Sequence, residues 1–314
     1  MPPGQKPDYS KKAYAAAHFG LELDGKKDLG LFRSIEGGGL KAQVMTYQYG
    51  QGLEKWRQLG KPNFEDIKAQ VGMAMSKPFY DWVAHFFKGE AVQKNGAIVA
   101  ADFYYKERAR REFTGAMIKE LTFPALVAAD STPLYMNITM SIEGMTFVPG
   151  KGEKIQQSKG MQSQKEWTSH RFTLSVDGFD SACRQCAKID AFTIKQTVID
   201  YHAGGFRAPI KCASPIDFPN IAFYIPESDA QPFFDQAKKR IVDGELKSHS
   251  DKKAGYIRTY DQEQRELFTL EFFDAEIVSV TPDKSDASTD AIKMVKVELY
   301  TERMEFSYPR MDVE

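Results

Sequence analysis

Pro78-Phe79-Tyr80-Asp81 recurs 154 residues further along the chain as Pro232-Phe233-Phe234-Asp235. The match extends outward at the same offset. Upstream, Ile35-Glu36 falls on Ile189-Asp190, Leu40-Lys41 on Ile194-Lys195, Val44 on Val198 and Tyr47 on Tyr201. Phe64 and Ile67 fall on Phe218 and Ile221, and downstream Arg111-Glu112 falls on Arg265-Glu266. Toward the end the offset grows to 159, as a loop insertion explains. There Met136, Ile138, Met140 and Glu143 meet Val295, Val297, Leu299 and Glu302, and Met145 and Phe147 meet Met304 and Phe306. At the start, HFGLELDG from His18 parallels HRFTLSVDG from His170 with one insertion. Matches that keep their order through both halves mark internal repetition.

The sequence therefore divides into two copies of one domain, 15–149 and 167–309, with a polar N-terminal arm at 1–14 and a short tail at 310–314. Between the copies, 150–166 is polar, contains glycine and is nearly free of large apolar residues, so it reads as a linker or exposed loop. Alternating apolar and polar residues mark strands. Phe19, Leu21 and Leu23 alternate, as do Phe172, Leu174 and Val176, and Met136, Ile138 and Met140 with their counterparts Val295, Val297 and Leu299. Strands are also expected at 97–105 and 113–123. Each copy holds one helix. In the first, Ser76 can cap, Pro78 sits in the first turn, Gly89 follows the end, and Phe79, Trp82, Val83, Phe86 and Phe87 form the apolar stripe. In the second the helix spans 230–242. The fold class is mainly β, with two tandem β-barrel or sandwich domains that each carry one flanking α-helix.

Composition bounds the function. Across 314 residues, 42 Lys and Arg face 43 Asp and Glu, a balance that argues against gripping nucleic acid by bulk charge. Three cysteines cannot form a complete disulfide set, which leans towards a reducing compartment. The first residues lack the apolar core of a signal peptide, and no apolar run approaches the about 18 residues that span a bilayer, so no membrane insertion is expected.

Several clusters invite a chemical reading. Gly37-Gly38-Gly39 lacks the spacing of a phosphate loop, so a bulge or tight bend between strands is the simpler account. Cys183, Cys186, His202 and Cys212 have the composition of a zinc site, yet the repeat maps Cys183 and Cys186 onto apolar Leu29 and Phe32, which reads them as small buried hydrophobes. The five histidines stand outside any nucleophile or metal motif, so no catalytic, cofactor-binding or metal-binding residue and no cofactor is assigned. The run Tyr104 to Arg111 mixes aromatic and basic residues, as single-strand binders do, but between two strand patterns it reads as a solvated hairpin able to pair with acidic groups on a neighbour. Aromatics are enriched at protein interfaces. The candidates for contact between subunits are Tyr47, Tyr49, Trp56, Arg108, Arg110 and Arg111.

The order of Phe32-Arg33-Ser34-Ile35-Glu36-Gly37-Gly38-Gly39, Phe64-Glu65-Asp66-Ile67, the Pro78-Phe79-Tyr80-Asp81-Trp82 helix and Ile138 to Met145 resembles the tail-tube superfamily of contractile phages and phage-like injection systems. The resemblance covers most of the first copy and reaches the second through the repeat. It implies β-barrels with one flanking helix, whose rings stack into a hollow tube, and no enzymatic reaction. It also implies self-association, with sheath, baseplate and tape-measure proteins as partners and DNA or protein as cargo in the lumen. The setting would be a virion tail or phage-like particle assembled in the bacterial cytoplasm. Tube subunits usually hold one such domain, so two fused copies favour a homotrimer whose six barrels have pseudo-sixfold symmetry. The alternative is a baseplate hub or tube-initiator ring. The loop from Tyr47 to Lys61 is long enough to reach an adjacent ring.

Overall fold

The computed structural model describes residues 18–27, 29–48, 50, 55–155, 167–244, 252–284 and 292–309. The first half runs β1 (Phe19–Leu23), β2 (Gly30–Gly37), β3 (Leu40–Gln48), β4 (Lys55–Phe64), β5 (Ile67–Met75), α1 (Lys77–Phe87), β6 (Lys94–Ala101), β7 (Glu107–Phe123), β8 (Leu126–Val127), β9 (Met136–Ser141) and β10 (Gly144–Pro149). The second runs β11 (Phe172–Val176), α2 (Asp180–Cys183), β12 (Lys188–Ile189), β13 (Phe192–Tyr201), β14 (Ile210–Asp217), β15 (Ile221–Pro226), α3 (Gln231–Ala237), β16 (Lys253–Tyr260), β17 (Glu266–Pro282), β18 (Met294–Tyr300) and β19 (Arg303–Ser307). Among the described residues no helix is long and apolar enough to cross a membrane.

The pairings repeat residue for residue. Ile35 lies opposite Ala69 where Ile189 lies opposite Phe223, and Val44 opposite Leu59 where Val198 lies opposite Ala213. Leu121 faces Ile138 as Val280 faces Val297, and Phe113 faces Met145 as Phe272 faces Met304. Even the irregularities recur: β3 and β13 slip register at Ala42/Val44 and Gln196/Val198, and β7 and β17 at Ile118/Glu120 and Ile277/Ser279. A bulge placed identically in both halves is a feature of the shared fold rather than a local accident.

The structure corrects the sequence reading in two places. Gly96 opposite Phe113 corresponds to Gly255 opposite Phe272, so the extra residues enter between the helix and the next strand, before β16. Arg111 and Glu112 therefore correspond to Leu270 and Glu271, and their match to Arg265-Glu266 is one of letters only. The run Tyr104 to Arg111 does fall on a hairpin, since β6 and β7 pair antiparallel across a turn from Asp102 to Lys106, but the arginines lie within strand β7 and Arg110 is buried instead of solvated. Asp102 organises that turn: Oδ1 accepts the backbone N–H of Tyr104 at 2.9 Å and of Lys106 at 3.0 Å.

Helix α1 follows its expected limits. Ser76 occupies the N-cap position, although its side chain makes no capping bond, and Phe79, Tyr80, Trp82, Val83, Phe86 and Phe87 are buried. The helix of the second half is shorter, continuing beyond α3 as a π-helical turn, Lys238–Val242. The sequence reading did not anticipate α2.

The two halves are joined by a seam. β13 leaves its own half and pairs antiparallel with the end of β7, placing Phe192 opposite Phe123, Thr193 opposite Thr122, Ile194 opposite Leu121 and Lys195 opposite Glu120. β12 pairs with β8 in the same way. On the far side of the seam α1 meets β19, where Phe87 stacks on Phe306 at 5.7 Å and the Tyr308 hydroxyl donates to Asp81 at 2.6 Å. One apolar core thus runs through both halves.

Candidate assembly surface

The site is built from a glycine corner. β2 ends at Gly37, whose φ of +90° disfavours an L side chain, and a Cβ there would fall 2.0 Å from the Asp66 carbonyl oxygen. The chain turns and runs out as the hairpin β3–β4, which forms a two-stranded sheet of its own. β3 is exposed along its whole length and β4 along most of it, with Leu40, Val44, Met45, Tyr47, Trp56 and Leu59 among the exposed large apolar groups. Val44 lies opposite Leu59 and Tyr47 opposite Trp56, and because these rungs are three residues apart along β3 they project from opposite faces of the hairpin. Both faces of the arm thus carry exposed apolar pairs.

The arm thus brings together Tyr47 and Trp56. Tyr49 lies outside the described residues. The three arginines lie elsewhere, on β7, and each is engaged by its own chain. Arg108 pairs with Asp102 at 2.7 Å. Arg110 is buried, with a two-pronged grip on Glu22 at 2.7 and 3.0 Å and a third bond to Glu107 at 2.9 Å. Those hydrogen bonds, that to Glu22 foremost, hold its guanidinium even more firmly protonated than usual. Arg111 donates to the Gly37 carbonyl at 2.8 Å, which ties β7 to the corner from which the arm departs. With those partners the run offers no open basic stripe of the kind that tracks a phosphate backbone.

The cysteines do not converge. Among the described residues no group of three or more His, Cys, Asp or Glu could hold a metal ion. Cys183 is buried in α2, Cys186 is half-buried and Cys212 is exposed on β14. Burial pushes the thiols of Cys183 and Cys186 up to about 12, so both are protonated and unreactive at neutral pH. His18 packs at a tilt against Tyr105 with ring centroids 4.3 Å apart and bonds the Asp102 carbonyl at 3.0 Å, in support of the turn. His249 lies outside the described residues.

Two exposed features escaped sequence reasoning: Phe147 on β10, and Ile241 with Val242 beyond α3. Phe147 alternates as a core strand residue does, and nothing in its own half reveals that it faces outward. The repeat gives no signal either, since its counterpart Phe306 is the same residue type yet buried.

Residues 15–146 match the family of T4-like virus tail tube protein gp19. That match spans 132 of the 314 residues, 15 to 146, and makes the first half of the chain similar to that family. The chain is similar to one in the cryo-EM structure of the anti-feeding prophage baseplate, with 17% identity over 46% of this chain and 96% of that one and a TM-score of 0.36. A chain of the PVC extracellular contractile injection system sheath–tube complex gives 17% identity over 49% and 99%, with a TM-score of 0.35. Hcp1 from E. coli EAEC 042 gives 16% identity over 44% and 91%, with a TM-score of 0.25. No curated protein matches the chain in sequence.

Proposed function

We propose that this chain is a ring subunit of the hollow tail tube of a phage or phage-like contractile injection system. It comprises two tube-like domains, 15–149 and 167–309, joined by the linker 150–166. Three chains bring six domains around the channel with pseudo-sixfold symmetry, and the rings stack. Sheath, baseplate and tape-measure proteins are its partners, DNA or a protein is its cargo, and it catalyses no reaction. Assembly takes place in the bacterial cytoplasm, and the product is part of the particle's tail.

The observation that carries this reading is the seam. β13 adds to β7 by main-chain pairing, the mode by which sheets grow across separate chains. The tail-tube match of residues 15–146 supports it. Tyr47 and Trp56 are the proposed contacts of the arm with an adjacent subunit or ring.

Electron microscopy of the purified protein across a concentration series tests the reading. Stacked tubes whose rings each contain three chains are expected. Isolated rings that never stack would favour a hub or initiator, and monomers at every concentration would overturn both.

A further inference from the structure

The seam between the halves has two sides. The first half supplies the outer edge of β7 at Glu120–Phe123 and the face of α1; the second supplies the start of β13 and the Phe306 face of β19. The register equivalences place a counterpart of every one of these elements elsewhere in the same chain, without its partner. The counterpart of the β7 edge is Ser279–Pro282 on β17, and that of α1 is the helix ending in Ile241 and Val242. The counterparts of Ile194 and Phe306 are Leu40 and Phe147.

Exposure separates the two sets. Ile194 is 0% exposed and Leu40 57%; Phe306 is 6% and Phe147 59%; Phe87 is 4% and Ile241 56%. β17 makes the comparison sharper. Along one side it is paired throughout, with β18 and then β19. Along the other it pairs with β16 only as far as Ala275, and among the described residues no strand covers Ser279–Pro282. In β7 the same stretch of edge is taken by β13. An open edge beside exposed apolar groups is a template for strand addition.

We infer that the second half of one chain receives the first half of another copy of this chain through a repeat of the internal seam, with Leu40 opposite Val280, Lys41 opposite Ser279, and Phe147 seated against Ile241. The inference rests on the ring reading and specifies its contact. Both surfaces belong to one chain and differ from each other, so the contact is head-to-tail, and successive chains either close a ring or continue as a helix. Within a ring the internal and intermolecular seams alternate.

The test pairs Leu40→Cys with Val280→Cys in a Cys212→Ser background, which removes the exposed native thiol. Residues directly opposed on antiparallel strands have Cβ atoms close enough for a disulfide. On oxidation most chains enter a ladder of covalent multimers ending in a closed species. The pair Lys41→Cys and Val280→Cys, one residue out of register, stays monomeric on a denaturing gel. Rings by microscopy without cross-links in the first pair, or with cross-links favouring the second, overturn the proposed register while the ring reading stands. An absence of both rings and cross-links overturns both. Hydrogen exchange on the unmodified chain guards against variants that do not fold. Assembly is expected to slow exchange at 40–41 and 279–281 by at least tenfold and leave 120–122, already paired within the chain, unchanged. Protection that appears on other strands alone overturns the inference.

Discussion

The two arms leave their halves of the chain at the same register position and meet different surroundings. In the second half the chain passes through Ala191, Phe192 and Thr193 and lies directly on β7, where Phe192 stacks on Phe123 at 5.2 Å and the Thr193 and Thr122 hydroxyls meet at 2.9 Å. In the first half the equivalent positions are Gly37, Gly38 and Gly39, and the arm stands free. Opposite them in the inferred intermolecular seam stand Pro282 and Thr281, where the internal seam has Phe123 and Thr122. The internal seam thus holds an aromatic stack and a hydroxyl pair that the intermolecular one lacks. In the proposed ring this difference makes the internal joint permanent and the intermolecular one dependent on concentration.

The comparison breaks most readily at Phe123. It is 3% exposed and also lies near Phe268 and Phe306, with centroids at 5.7 and 6.3 Å. Truncating it leaves a cavity where the two halves meet, so Phe123→Ala is expected to cost about 4 kcal/mol in urea unfolding of the monomer. Phe147→Ala touches the exposed joint only. Monomer stability should shift by less than about 0.5 kcal/mol, while assembly weakens by tenfold or more in a sedimentation titration. Equal losses of monomer stability from the two variants would mean that the joints do not differ as described.

Gly37→Ala comes next. The added Cβ meets the Asp66 carbonyl oxygen in a left-handed backbone conformation, so a loss of about 3 kcal/mol in thermal unfolding is expected. Ala191 stands at the matching position of the second half, and Ala191→Gly should cost less than about 1 kcal/mol. A smaller effect belongs to Arg111. Its bond to the Gly37 carbonyl fixes the base of the free arm, and its counterpart Leu270 makes no such bond. Arg111→Leu should cost about 1 kcal/mol and speed exchange of the Gly37–Lys41 amides, with little change at 191–195.

Much of this was legible in the sequence, for a definite reason. A repeated chain shows each position twice, so the glycine corner, α1 and the terminal strands could be read against their copies. What remained hidden depends on neighbours. Arg110 looks like a surface charge beside Arg108 and Arg111, and only the fold brings Glu22 across from β1 to bury it. Leu40 and Ile194 look alike, and only the position of β7 separates them. The shift from Arg111-Glu112 to the true counterparts Leu270 and Glu271 was invisible because matching letters outweighed a five-residue insertion whose place is set by strand pairing.

The smallest difference between the halves at neutral pH becomes larger in alkali. Cys183 and Cys186 stand where the first half has Leu29 and Phe32. Burial raises both thiols from 9.0 to about 12 in the folded chain. Below pH 9 they are protonated in both states and add no pH dependence. Above it the unfolded chain loses its thiol protons first, so it binds fewer protons than the native chain and stability falls as pH rises, until the native thiols also ionise near 12. Each thiol should cost about 1 kcal/mol by pH 10. Cys183→Val restores the first half's chemistry at one position. Its stability, measured by urea unfolding at pH 7 and pH 10, should decline less than that of the unmodified chain by about that amount. Parallel declines would mean that the Cys183 thiol is accessible to water in the folded state, and that the second half is looser around α2 than the first half is around Leu29.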